Sequence, residues 1–152
     1  MTGIVATAEI DITAPATRVW SALVDPAQIK TYMFGSTVET DWLPGSAITW
    51  SGEYNGQPYE DKGEIIAIDA PRRLELTHFS PMSGAEDAPE NYHRLIYTLT
   101  SVEDGTNVRL TQDNNQDMDA ATHVSQNWQT MLKELKRHIE DPRSAAAVLT
   151  NT

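Results

Sequence analysis

The chain has 152 residues, carries a formal net charge of −11 from 22 acidic and 11 basic side chains, and contains no cysteine. This length favours one domain with its own hydrophobic core. The absence of cysteine excludes a disulfide framework, a thiolate nucleophile and cysteine-ligated zinc or iron–sulfur sites. The negative charge argues against a nucleic-acid partner, because most of the surface would repel a phosphate backbone.

The sequence carries neither an export signal nor a membrane span. Residues 1–10 lack the basic start and long apolar run of a signal peptide. No stretch approaches the roughly 20 apolar residues that cross a bilayer. We therefore expect a soluble, cytoplasmic protein.

The N-terminal third predicts one strand followed by two short helices. Residues 4–13 alternate between apolar and polar side chains, which is typical of a half-buried strand. Pro15 suits the first position of a helix, and the pair Asp25-Pro26 ends that helix. A short helical piece follows around residues 26–33. Next come an extended segment from Thr37 to Thr40 and a turn at Trp42-Leu-Pro-Gly-Ser46.

The middle of the chain predicts an antiparallel meander. The connections contain turn signals such as Asn55-Gly56 and Glu103-Asp-Gly105, and short connections join antiparallel neighbours. The predicted strands are Ala47 to Tyr54, Tyr59 to Asp69, Arg72 to Phe79, Tyr92 to Ser101 and Asn107 to Asn114.

The C-terminal part predicts one long amphipathic helix from about Ala120 to Glu140, with apolar residues at three- and four-residue steps. Asp119 is the expected N-cap and Pro142 the stop. About 20 residues span roughly 30 Å, which is enough to cross the sheet. We expect one domain over residues 1–142 and a loosely held tail over residues 143–152.

These elements predict an α+β layer arrangement in which one sheet face packs against the long helix. Five motifs in this order resemble START-like (SRPBCC, helix-grip) domains, in particular the family of activators of heat-shock protein 90 ATPase homologues. The resemblance covers nearly all of residues 5–140. The motifs are Ala14-Pro-Ala-Thr-Arg-Val-Trp20, Leu23-Val-Asp-Pro26, Trp42-Leu-Pro-Gly45, Gly63-Glu-Ile-Ile-Ala-Ile-Asp-Ala-Pro-Arg-Arg-Leu74 and Asn127-Trp-Gln-Thr-Met-Leu132.

The resemblance implies a curved antiparallel sheet wrapped around the C-terminal helix, with two short helices after the first strand and a cavity for a hydrophobic molecule or lipid. Some members of the wider superfamily, such as polyketide cyclases and aromatases, bend flexible chains in this cavity. The family name implies a chaperone partner and a link to the stress response. Eukaryotic activators carry an additional N-terminal domain, so this chain looks more like single-domain bacterial relatives.

Strand alternation predicts which side chains face the helix, and the polar members of that set fall near the strand ends. A mostly apolar pocket with a few convergent polar groups is typical of small-molecule sites. The alternative is that water satisfies these polar residues. The predicted inward set is Ile48, Trp50, Tyr54, Leu74, Leu76, His78, His93, Leu95, Tyr97, Leu99, Val108, Leu110, Gln112 and Asn114.

Aromatic and methionine side chains cluster near the turns at one end of the predicted sheet, and Trp128 and Met131 face them from the long helix. They suit a flat apolar ligand, or they simply fill the core. The cluster consists of Tyr32, Met33, Phe34, Trp42, Trp50 and Tyr59.

We predict binding of a small hydrophobic or aromatic ligand, with no cofactor and no metal. The predicted ligand-binding residues are Trp50, Tyr54, Leu76, His78, His93, Tyr97, Gln112, Trp128 and Met131.

No motif for a nucleophile, a zinc site or a phosphate loop occurs, so no catalytic residue is assigned. Acid–base catalysis of the cyclase or aromatase type stays open, with His78, His93, Glu53 and Tyr97 as the groups to watch. A chaperone-activating role stays open, and so does a homodimer formed through strand edges or the aromatic cluster.

Overall fold

The computed structural model describes residues 3–141. In chain order the elements are β1 Ile4–Ile12, α1 Ala16–Leu23, α2 Pro26–Tyr32, β2 Thr37–Glu39, β3 Ala47–Tyr54, β4 Gln57–Asp69, β5 Arg73–His78, β6 His93–Val102, β7 Gly105–Asn115 and α3 Met118–Glu140. Two short 3₁₀ turns, Pro81–Ser83 and Pro89–Asn91, lie in the loop between β5 and β6. The predicted α+β helix-grip arrangement is confirmed.

One seven-stranded antiparallel sheet has the order β1-β7-β6-β5-β4-β3-β2. Strands that follow each other in sequence are neighbours from β2 to β7, whereas β1 pairs with β7. The Asn55-Gly56 turn between β3 and β4 has positive φ at both residues, 51° and 78°. A two-residue turn with two positive φ angles matches the twist of a hairpin, and asparagine and glycine tolerate that conformation best.

The hydrophobic core lies between the sheet and α3. The apolar stripe of α3 is buried at Ala121, Met131, Leu132, Leu135 and Ile139. It meets inward-facing strand residues and the apolar side of α1. Among residues 3–141, no helix combines the length and the apolar character needed to cross a membrane.

Side chains of α3 also occupy the outer edge of β1. Gln129 accepts from the Glu9 N–H at 3.3 Å and donates to the Glu9 carbonyl at 3.0 Å. Lys136 Nζ donates to the Asp11 carbonyl at 2.7 Å. Edge strands normally expose unpaired backbone groups that recruit other strands. Because α3 satisfies these groups, the β1 edge is not open for strand pairing.

The boundaries differ from the predicted ones mainly at turns. β4 begins at Gln57 rather than Tyr59, and β7 at Gly105 rather than Asn107. Two-residue turns leave no room for a longer loop, so pairing starts at once.

The helix ends differ as well. Asp119 is not the N-cap of α3, because the helix begins at Met118 and the Asp117 carboxylate accepts from the Ala120 N–H at 2.8 Å. Pro15 was predicted as the first residue of α1, but it is the N-cap, and the helix begins at Ala16. Pro142 and the predicted tail over residues 143–152 lie outside the described residues.

Candidate functional site

A cavity of about 850 Å³ lies between the sheet and α3. Strands β2 to β7 form one wall, α3 forms the opposite wall, and α2 with the segment that follows it closes one side. Small-molecule sites commonly have volumes of about 300–1,000 Å³ and mostly apolar walls. The cavity is therefore large enough for a molecule of several rings.

Eight of the nine predicted ligand-binding residues line this cavity, and His93 is the exception. The eight are Trp50, Tyr54, Leu76, His78, Tyr97, Gln112, Trp128 and Met131.

His93 and Asn114 are polar residues that the structure does not bring to the cavity wall. His93 Nδ1 lies 2.9 Å from the Asp113 carbonyl oxygen, which can only accept, so Nδ1 donates. Asn114 has a φ of 60° and donates its amide to the carbonyls of Glu90 and Tyr92. The register of β7 against β1 shifts at this end, so the simple alternation that predicted an inward Asn114 breaks there.

All six members of the predicted aromatic and methionine cluster line the cavity, and they fall into buried and exposed groups. Tyr32 and Trp50 are buried in the core, and the Tyr32 hydroxyl donates to the Ala22 carbonyl at 3.0 Å. Phe34, by contrast, is 69% exposed, and Tyr54 and Met82 are 67% and 55% exposed. These three exposed side chains form an apolar rim where the cavity meets solvent.

The amide of Gln112 has a defined orientation. Trp128 Nε1 donates to Gln112 Oε1 at 2.8 Å. Because an indole N–H can only donate, the oxygen must face the tryptophan. No described residue accepts from Gln112 Nε2. The cavity wall therefore offers one oriented donor group at this position.

Tyr97 supplies a neutral phenol. Burial raises the pKa of Tyr97 well above its ordinary value of 10.0, so the hydroxyl keeps its proton at physiological pH. Among the described residues, Tyr97 has no hydrogen-bonding partner. Its hydroxyl is thus a second polar group on an otherwise apolar stretch of β6.

His78 and Asp61 form a partly buried pair in the cavity wall. His78 Nε2 lies 2.9 Å from Asp61 Oδ2, and the Trp50 ring contacts the imidazole edge-on with centroids 5.1 Å apart. The other two polar atoms of the pair, His78 Nδ1 and Asp61 Oδ1, are buried without a hydrogen-bonding partner. Such atoms are uncommon in native proteins and call for an explanation.

Gly63 allows this pair to form because it lets β4 and β5 approach closely. A Cβ atom at Gly63 would lie 1.7 Å from the Thr77 carbonyl oxygen. Just beyond it, Lys62 and Phe79 exchange two backbone hydrogen bonds of 3.0 and 2.7 Å. Asp61 therefore lies beside His78.

Sequence reasoning missed Asp61. It lies two residues before Gly63 on the inward face of β4 and is paired with Trp50 on β3, so alternation from Ile65 would have pointed to it. Glu53, a residue considered for acid–base chemistry, also lines the cavity. No group of three or more potential metal ligands occurs within residues 3–141.

The loop between β5 and β6 borders the cavity through Ser80 and Met82 and is tethered at Asp87. Asp87 forms an ion pair with Lys62 and accepts a 2.6 Å hydrogen bond from the Tyr92 hydroxyl. These partners lower the pKa of Asp87 and raise that of Lys62. These contacts link this side of the rim to β4.

Comparison with known proteins places the chain in one family. Residues 13–140 match the model of the family described as Activator of Hsp90 ATPase homolog 1-like protein. A search of curated proteins found no match.

The solved structures that it resembles include ChR145 from Cytophaga hutchinsonii, with 46% identity, a TM-score of 0.80, and coverage of 92% of this chain and 96% of that one. The Aha1 dimer from Colwellia psychrerythraea is 21% identical with a TM-score of 0.71, covering 90% of this chain and 96% of that one. DynU16, a protein in the dynemicin biosynthetic locus, is 15% identical with a TM-score of 0.74, covering 90% of this chain and 47% of that one. The last two share the fold alone. The family match spans most of the chain, and the chain therefore belongs to the family of activator of Hsp90 ATPase homolog 1-like proteins.

Proposed function

We propose that this protein binds a small hydrophobic or aromatic molecule in the cavity between the sheet and α3. The observation that carries the proposal is a cavity of about 850 Å³ whose wall includes Trp42, Trp50 and Trp128. Aromatic side chains offer large, rigid contact surfaces to flat ligands. Most of the wall surface is apolar, so the polar groups would orient the ligand rather than supply most of the affinity.

Burial of apolar surface accounts for the expected affinity. Covering roughly 300 Å² of ligand surface at about 25 cal/mol per Å² contributes about 7 kcal/mol. Loss of translational and rotational freedom opposes this contribution. We therefore expect dissociation constants no tighter than the micromolar range for a ligand held by apolar contacts alone.

The first experiment is native mass spectrometry of freshly purified protein, followed by organic extraction of any retained molecule. A stoichiometric small molecule supports the proposal and names the chemistry to study.

A quantitative test is titration with 2-methylnaphthalene followed by NMR chemical shifts. Trp50→Ala should abolish binding while the domain stays folded. Leu43→Ala is the matched control, because Leu43 is 62% exposed and does not line the cavity. Intact binding in the folded Trp50→Ala variant would overturn the proposal.

An enzymatic function of the cyclase or aromatase type is a second candidate, and the His78–Asp61 pair favours it. A carboxylate that orients an imidazole is a common arrangement for general acid–base catalysis. The assay is product formation from a cavity-bound substrate. Loss of turnover in His78→Ala with unchanged substrate binding would support catalysis, and a ligand recovered unchanged from the wild type would argue against it.

A chaperone-activating function is a third candidate, and family membership favours it. The test is complex formation with the chaperone and a change in its rate of ATP hydrolysis. For a homodimer formed by strand pairing, the β2 edge is the available one, because side chains of α3 occupy the β1 edge. The apolar rim is the other predicted route to a homodimer. Sedimentation equilibrium of the wild type and of Phe34→Ser tests the rim.

A further inference from the structure

We propose that the ligand carries a neutral carbonyl group and that the side-chain amide of Gln112 donates a hydrogen bond to its oxygen. The inference deepens the proposed function and rests on it. It assigns a polar subsite to one residue of β7, on the sheet wall of the cavity. It also narrows the ligand class from apolar molecules in general to molecules with a carbonyl oxygen.

The first argument is that Trp128 fixes which end of the amide is free. Trp128 Nε1 donates to Gln112 Oε1 at 2.8 Å, and an indole N–H can only donate. This bond directs the amide oxygen towards α3. It leaves the Nε2 donors of Gln112 free, because no described residue accepts from them. The helix and the strand together thus hold a donor in a set orientation.

The second argument is that the cavity reaches this donor. Gln112 lines the cavity, although the residue is only 6% exposed. Among residues 3–141, the buried side-chain polar atoms without a partner are Arg18 Nη2, Asp61 Oδ1 and His78 Nδ1. Gln112 Nε2 also lacks a partner but is not one of these buried atoms, so it keeps accessible surface. Because Gln112 belongs to the cavity wall, that surface opens into the cavity.

The third argument concerns the charge of the ligand group. Of the described residues that line the cavity, none is a lysine or an arginine, whereas Glu53 and Asp61 carry carboxyl groups. An anionic ligand group would lose its hydration there without gaining a counter-charge. The acceptor that suits Gln112 is therefore neutral.

The surroundings of Gln112 favour a carbonyl over a hydroxyl. Its cross-strand neighbours are Ala6 on β1 and Leu95 on β6, and both are apolar. A ligand hydroxyl that accepts from Gln112 would find no acceptor for its own O–H on these two neighbours. A carbonyl oxygen only accepts, so it brings no donor to satisfy. The Tyr97 hydroxyl, farther along β6 on the same wall, can also donate to a carbonyl.

The test compares 2-acetonaphthone with 2-isopropenylnaphthalene, which differ by a carbonyl oxygen in place of a methylene group. NMR titration of the full chain gives the dissociation constant of each probe. Comparing the ratio of the two constants between variants cancels the different hydration of the free probes. Gln112→Met keeps the side-chain length but removes the donor, and it should shift the ratio about tenfold against the ketone, which corresponds to about 1.4 kcal/mol. Leu95→Met, in the residue opposite, is the matched control and should leave the ratio unchanged.

A second measurement keeps the test valid if Gln112→Met does not fold. In the ¹⁵N-labelled wild type, 2-acetonaphthone should move the side-chain NH₂ proton resonances of Gln112 downfield of their positions with 2-isopropenylnaphthalene, which carries the same ring system. An unchanged ratio in folded Gln112→Met, or equal resonance positions with the two probes, overturns the carbonyl subsite and leaves the proposed function standing. Failure of both probes to bind overturns the proposed function and this inference together.

Discussion

Gly63→Ala should be far more damaging than an ordinary glycine-to-alanine change in a strand. The added methyl group would lie 1.7 Å from the Thr77 carbonyl oxygen and 2.6 Å from its carbon, both backbone atoms. To relieve this clash, β4 and β5 must separate. Three hydrogen bonds lie at this point of approach: the two between Lys62 and Phe79, and the 3.0 Å bond from the Glu64 N–H to the Thr77 hydroxyl.

The magnitude follows from those bonds. Each contributes about 1 kcal/mol net, so their loss costs about 3 kcal/mol. Replacing glycine by alanine within a strand returns about 0.5–1 kcal/mol of conformational entropy. We therefore expect Gly63→Ala to lower the free energy of unfolding by about 2–3 kcal/mol. It should also lengthen the 2.9 Å contact between Asp61 Oδ2 and His78 Nε2.

Gly52→Ala is the matched control in the neighbouring strand. Its Cβ would lie 2.9 Å from the Tyr59 hydroxyl oxygen, the far end of a side chain that can move. Urea denaturation followed by far-UV circular dichroism measures both variants. A loss below about 1 kcal/mol for Gly63→Ala, or an equal loss for Gly52→Ala, would refute the reasoning that backbone approach at Gly63 creates the pair.

Three further predictions concern α3. Gln129→Ala removes two hydrogen bonds to the β1 edge and should lower the free energy of unfolding, measured by urea denaturation, by about 1–2 kcal/mol. A change near zero would mean that water replaces both hydrogen bonds to the Glu9 backbone. Trp128→Phe leaves Gln112 Oε1 unpaired and should lower the free energy of unfolding by about 1–3 kcal/mol. In a double-mutant cycle with Gln112→Leu, the two losses should be coupled. Additive losses would contradict the contribution of this hydrogen bond. Burial, and then the nearby Arg18, lower the pKa of His138 below its ordinary value of 6.5. The unfolded chain therefore binds more protons than the folded chain, and the free energy of unfolding should fall as pH drops below 6.5. His138→Gln should make the thermal unfolding midpoint depend less on pH in this range. An unchanged pH dependence would contradict the role given to His138.

The sequence by itself determined the elements and most of the cavity wall. Period-two alternation located β3 to the residue, and apolar steps of three and four located α3 to within two residues at its start. Trp50, Leu76 and Tyr97 were recognised as inward-facing because each strand alternates regularly around them. These are local properties, since periodicity depends only on residues close together along the chain.

Only the tertiary structure decided how the polar end of the cavity is arranged. Asp61 meets His78 because Gly63 lets two strands approach, and that approach involves residues from separate strands. Asn114 turns to backbone carbonyls where the register of β7 against β1 shifts, and His93 turns to the Asp113 carbonyl of the neighbouring strand. Alternation along a single strand indicates neither contact. Likewise, α3 side chains reach the β1 edge across more than a hundred residues of sequence. Hydrogen-bond partners are set by distances of about 3 Å in space, and no pattern within one strand or one helix contains that information.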